Sequence, residues 1–226
     1  NSESTAGKIV LGDSSTTTCS TFCSMLISTS ELAKMSGSEL VIGGLRDDGS
    51  NSEDAQNSTA TNGDIYVNAL TTANTSGFTN GVQLNVNAHL SGSKGAIIFE
   101  GSASTFSALT ANAVDGIEVN SDLTTTTGAL SLDGDSDSTV DTLSGNDNIL
   151  FASGTTLTSA GNITLSAASG GMVTAGDLTL SAPSSITMTG TMSGTGDISL
   201  SASNGITLNN GISTSSGSLN INANSS

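Results

Sequence analysis

The sequence predicts an all-β protein, a parallel β-helix (β-solenoid) of roughly ten or eleven coils with short loop excursions. Three observations carry that expectation. The chain of 226 residues contains 41 Ser, 32 Thr, 27 Gly and 20 Asn, and all four types are poor helix formers over long windows. Its apolar residues recur two apart, the period of a strand with one buried face. A short unit also repeats near the C-terminus: Gly161-Asn-Ile-Thr-Leu-Ser-Ala, Gly176-Asp-Leu-Thr-Leu-Ser-Ala, Gly196-Asp-Ile-Ser-Leu-Ser-Ala and Gly217-Ser-Leu-Asn-Ile-Asn-Ala, at spacings of 15, 20 and 21 residues.

One such unit cannot bury a face alone, but units stacked about 4.8 Å apart can. Near the start, Lys8–Leu11, Met25–Ile27 and Leu40–Ile42 read as strands, and Glu31–Met35 as a helical turn. Looser copies of the unit follow at Gly63–Ala69, Gly81–Ala88, Gly95–Phe99, Gly116–Val119 and Gly128–Leu132. Between the regular C-terminal units lie the shorter strands Ile186–Met188 and Ile206–Leu208, with further strand positions at Met192 and Ile212. Segments 13–21, 47–62 and 133–148 are polar and irregular and read as excursions. Residues 1–226 therefore form a single solenoid segment: a less regular start over 1–62, looser coils over 63–160 and the most regular coils over 161–226. The start at Asn1, with no signal peptide, is read as a mature or excised piece of a longer chain.

Charge and composition exclude several functions. Four Lys plus Arg against 20 Asp plus Glu give a net charge of −16. Four cations cannot neutralise a useful run of phosphates, so nucleic acid is not an expected partner. No segment reaches the roughly 20 apolar residues of a membrane span. A mean hydropathy of +0.05 and periodic apolar residues argue against disorder.

Three stretches resemble the filamentous-haemagglutinin-like repeats of large secreted exoproteins and adhesins. The first is Ile27–Gly43, similar to an acidic-Leu-Ala segment followed by Gly-x-Leu-x-Ile-Gly. The second is Thr126–Asp137, continuing to Asn148–Phe151 and Leu157–Gly161, and the third is the C-terminal repeat series. The resemblance implies a right-handed β-helix serving as the stalk or display surface of a secreted, cell-surface protein. The chain departs from that pattern at Cys19 and Cys23, because such rods tend to avoid cysteine. It also lacks the family's Asn-Pro-Asn motifs, its only proline being Pro183.

The best candidate site is the acidic run Asp133, Asp135, Asp137 and Asp141, whose alternating carboxylates in a Gly-containing loop suit a hard cation such as calcium. A solvated acidic loop is the competing reading. The polar stretch around Asp47, Asp48, Glu53 and Asp54 reads as a loop rather than a ligand cage. Cys19 and Cys23 sit four apart, about 13 Å if extended, so a disulfide needs a turn between them; two buried thiols are the alternative. The only histidine, His89, alternates out of phase with Leu84, Val86, Ala88 and Leu90 and points to solvent as a surface residue. No Gly-x-Ser-x-Gly elbow accompanies it. Four N-glycosylation acceptors, Asn57, Asn74, Asn162 and Asn224, are no more than this Ser/Thr content yields by chance.

With one Tyr, Tyr66, and no Trp, the aromatic platforms of sugar-acting β-helix enzymes are missing; the Phe residues at 22, 78, 99, 106 and 151 read as core. Thr187, Thr189 and Thr191 raise ice binding, yet coils of 15, 20 and 21 residues would break the ranks such a lattice requires. The expected function is non-catalytic: a rigid rod displaying loops to a cell-surface or matrix ligand, packed against neighbouring coils of the same longer chain, without a required cofactor. A calcium-dependent binding module and a polysaccharide-acting enzyme are the alternatives.

Overall fold

The computed structural model describes residues 7–13, 23–43, 62–86, 95–138 and 147–224. Every strand in it pairs in parallel, and the strands collect into three sheets. The chain runs along the first sheet, turns a corner into the second, turns again into the third and returns one rung further on. This is the parallel β-helix that the apolar period predicts. From Ile97 onward the cycle is complete in every coil: Ile97–Glu100 lies in the first sheet, Ser104–Phe106 in the second, Leu109–Ala113 in the third. The first sheet is the deepest, with nine strands from Cys23–Ile27 to Ile212–Thr214; the second has six and the third seven.

Register explains why the core is continuous. In the third sheet Leu84 pairs with Ala111, Ala111 with Leu132, Leu132 with Leu165, Leu165 with Met188 and Met188 with Leu208. In the first, Ile65, Ile97, Ile117, Ile149 and Met172 form a matching inward column. These columns meet along the axis, where Leu132, Leu165, Ile117 and Ile149 are fully buried. Phe78, Phe99, Phe106 and Phe151 are core residues as expected, whereas Phe22 lies outside the described residues. Outward positions alternate with the core along each strand, as in Leu178–Ala182, where Leu178, Leu180 and Ala182 are buried and Thr179 is exposed.

The true coil length differs from the repeat spacing. Leu180 pairs with Leu200 and Leu200 with Ile221, so the spacings of 20 and 21 are complete coils. The spacing of 15 is not. The Gly161 unit supplies Ile163–Ser166 of the third sheet, whereas the Gly176 unit supplies Leu178–Ala182 of the second. The complete coil there runs from Leu165 to Met188, which is 23 residues. Similar units report which side chains face inward, and that pattern is common to all three faces.

At the N-terminal end, two helical turns stand where strands of the second sheet would be. Thr29–Leu32 begins earlier than the expected Glu31–Met35 because Ser28 caps it. The Ser28 Oγ accepts the Glu31 N–H at 3.3 Å, and the Glu31 carboxylate accepts the Ser28 N–H at 2.9 Å. The second turn, Thr72–Thr75, has Asn74 accepting the Thr71 N–H at 2.7 Å. Asn74 also donates to the Thr29 carbonyl at 3.2 Å and joins the two turns. Behind them, the Leu70 carbonyl accepts the Thr105 N–H at 2.7 Å and so closes the end of the second sheet.

Two glycines are dictated by the stacking. Gly12 has φ +104° and Gly43 has φ +92°, and a Cβ on either would run into the Asn68 or Asn85 carbonyl of the neighbouring rung. Fully buried columns are sensitive to truncation in the same way. Leu165→Ala is expected to lower stability by about 2–5 kcal/mol, read from the urea midpoint, because neighbouring rungs fix the cavity walls. The exposed Thr179→Ala change should shift it by less than about 0.5 kcal/mol.

Candidate functional site

The described part of the acidic run occupies the corner between the third and first sheets. Asp133 ends the strand Leu130–Asp133, and a tight turn follows through Ser138, whose φ is +57°. Each rung contributes to holding this turn. The Gly134 N–H donates to the Ser166 carbonyl at 2.9 Å, and the Ser136 N–H donates to the Ala113 carbonyl at 3.0 Å. Within the turn, Asp133 Oδ1 accepts the Asp135 N–H at 3.2 Å and the Asp135 carbonyl accepts the Ser138 N–H at 3.0 Å. Asp135 is the most enclosed acid, only 1% exposed. Its Oδ2 accepts the Ser169 N–H of the next rung at 2.6 Å, while its Oδ1 is buried without a hydrogen-bond partner.

Two further acids sit at this corner, both buried: Asp115 on the preceding rung, and Asp147 on the same rung, just before the strand Asn148–Phe151. Sequence reading did not single out Asp115, because it lies outside the acidic run of residues 133–141; only the stacking of corners places it here. Asp137 is partly exposed, and Asp141 lies outside the described residues. Among the described residues, no three His, Cys, Asp or Glu side chains come together in a group that could hold a metal ion.

The electrostatics of the turn follow from burial. Desolvation raises the Asp133 carboxyl above its ordinary value, the Asp135 N–H bond lowers it, and the Asp135 and Asp137 charges raise it again, for a net upward shift. The ionised form of Asp133 is thus less favourable in the fold than in the unfolded chain.

A second polar group lies on the outer face of the first sheet. Lys8 Nζ donates to the Tyr66 hydroxyl at 3.3 Å and sits 4.9 Å from the ring centroid. The Tyr66 hydroxyl donates to Asp64 Oδ2 at 3.3 Å, and Asp64 Oδ1 accepts the Ala96 N–H at 3.3 Å. Burial first, and then the Asp64 charge, push the Tyr66 phenol up to about 12, so it stays protonated at neutral pH and serves as a donor rather than a base. Lys8 and Tyr66 both fall in segments that the sequence marks as strands, but nothing in it pairs strands 58 residues apart.

The outward hydroxyls are ranked after all. Thr164, Thr187 and Thr207 pair in one row, because the ladders hold them in register although the coils between them are 23 and 20 residues long. Other rows change residue from rung to rung, for example Thr179, Ser199 and Asn220. Varying side-chain size, rather than broken rank, is what separates these faces from a lattice. Of the remaining expected features, Cys19, His89 and the 47–61 stretch lie outside the described residues. Cys23 opens a strand, Cys23–Ile27, beside Lys8. No described helix is long and apolar enough to cross a membrane.

No family model matches the chain, and neither does any curated protein or solved structure.

The upward shift at Asp133 has a defined consequence for stability. Its penalty is fully present above the folded-state value and is relieved as pH falls through that value toward the ordinary one of about 3.9. Asp133→Asn should therefore raise the urea midpoint at pH 7, with the advantage over the parent protein shrinking as the pH falls through the raised folded-state value and no longer present below about 4.

Proposed function

We propose that this chain is a non-catalytic structural and adhesive segment of a secreted or cell-surface protein, a rigid rod whose corners display binding loops. The observation that carries this reading is the unbroken parallel register of three sheets over successive rungs, from Val82–Val86 to Leu219–Asn222. Such a stack resists bending because each rung is hydrogen-bonded to both neighbours on every face. Its outward rows are mostly small and uncharged, and the net charge of −16 opposes collapse onto other anionic surfaces. The resemblance of Ile27–Gly43 and Thr126–Asp137 to filamentous-haemagglutinin-like repeats supports the placement at a cell surface. A cell-surface or matrix ligand would be met by the excursions around 47–62 and 133–148. The scarcity of aromatic residues, 3% of the chain, speaks against a sugar-cleaving site.

Mechanical unfolding tests the reading directly. Pulled from its two ends, a stacked rod should yield in steps of about one coil, each releasing roughly 70 Å of contour length for about 20 residues. A single all-or-none event, or release of product from a panel of acidic and neutral polysaccharides, would contradict it.

A calcium-dependent module is the second reading, favoured by the buried, unbonded Oδ1 of Asp135 beside Asp133. The rod needs no ion, so its melting temperature is expected to be the same in EDTA and in millimolar calcium. A rise of several degrees with calcium, lost in Asp135→Asn, would favour the module instead.

A further inference from the structure

One strand belongs to no coil. In the first sheet Gly7–Gly12 lies between Cys23–Ile27 and Asn62–Asn68 and pairs with both. The other sides of those same two coils close directly on each other. In the third sheet Leu40–Gly43 pairs with Val82–Val86, with no strand between them. On the second side the Gly37 N–H donates to the Gly77 carbonyl at 2.9 Å, and Asn74 donates to the Thr29 carbonyl at 3.2 Å. Gly7–Gly12 is thus a wedge that opens one side of the stack by the width of a strand, about 4.8 Å. The ladders record the misfit: among the described residues only the two ladders of this strand slip in register, both beside Lys8.

The gap is nevertheless specific for what fills it. Val10 and Leu11 are 1% and 0% exposed. Lys8 Nζ donates to the Tyr66 hydroxyl at 3.3 Å at one end of the strand. At the other end Asn68 Nδ2 donates to the Asp13 carbonyl at 2.7 Å, and the Thr29 hydroxyl donates to Asp13 Oδ1 at 2.7 Å. Gly12 fits where the Asn68 carbonyl leaves no room for a Cβ. An extended Gly-Lys-Ile-Val-Leu-Gly-Asp segment satisfies all of these positions, and every further copy of the chain carries one.

We propose that the gap between Cys23–Ile27 and Asn62–Asn68 is a strand-binding slot that takes residues 7–13 of a second copy as readily as its own, so that two chains join by exchanging this strand. The exchanged strand makes the same contacts in either chain, so the dimer needs no new surface and its yield rises with protein concentration. Ten residues, 13–22, separate the strand from Cys23, and fully extended they would reach about 33 Å. The strand is therefore free to leave while the coil Cys23–Gly43 stays held through the third sheet and the paired helical turns.

Two full-length variants test the exchange. Val10 and Tyr66 stand opposite each other in the ladder. Val10→Cys in one copy and Tyr66→Cys in another therefore come together only when the strand of the first lies in the slot of the second. Refolded together at high concentration and treated with a short thiol cross-linker, they should give a dimer linked between positions 10 and 66, read by peptide mass spectrometry. Thr179→Cys in place of Val10→Cys, on the outer face of the second sheet, should give no link to position 66. The unaltered protein supplies a second readout that needs no variant to fold. In heavy water the amides of residues 8–11 should exchange at least about tenfold faster than those of residues 65–67, because the strand opens alone. Absence of the 10–66 link, an equal yield with Thr179→Cys, or exchange at residues 8–11 no faster than at 65–67 overturns the proposal.

Discussion

Everything in this molecule depends on register between rungs. A parallel ladder places like positions above one another, so an inward residue in one coil is inward in every coil, and the column becomes the core. No single coil is stable by this rule. Ile117 is buried because Ile97 and Ile149 flank it, and each of those relies on the next rung in turn. Stability is a property of neighbours, which is why a chain with so few aromatic residues can still close a dry interior.

The same dependence explains how much of the fold was legible. Strands with two inward aliphatic residues, such as Ile198–Ala202, announce themselves by alternation. Strands whose inward residues are polar do not. Ser104, Thr125 and Thr155 are all buried, and each is tolerated because its hydroxyl is bonded locally: Ser104 Oγ accepts the Leu70 N–H, while Thr125 donates to the Gly128 carbonyl and Thr155 to the Ala152 carbonyl. Their strands, Ser104–Phe106, Leu123–Thr125 and Thr155–Thr158, carry no apolar pair that sequence reading could recognise.

The acidic corner was half legible for a related reason. The run of carboxylates is visible in sequence, but burial separates its members, and sequence does not report burial at a corner. Asp135 is enclosed by the rungs before and after it, through Ser136 to Ala113 and through its own carboxylate to Ser169. Asp115 joins it from a rung that sequence reading treated as strand and turn. A corner of a solenoid is thus assembled from segments one coil apart, as the core is, and its chemistry is set by stacking rather than by adjacency.

That corner also separates length from order. Asp133 ends one strand and Asn148 begins the next, yet fourteen residues of sequence lie between them, where neighbouring coils use far fewer. The ladders on both sides are undisturbed: Leu130 pairs with Ile163 and Ile117 with Ile149. Doubling the length of a flexible loop costs only about 0.6 kcal/mol in closure entropy. Chain added at this corner therefore changes what the surface presents while leaving the columns beneath it alone. The architecture has a site where novelty can accumulate by insertion, with the rod itself indifferent to what is inserted.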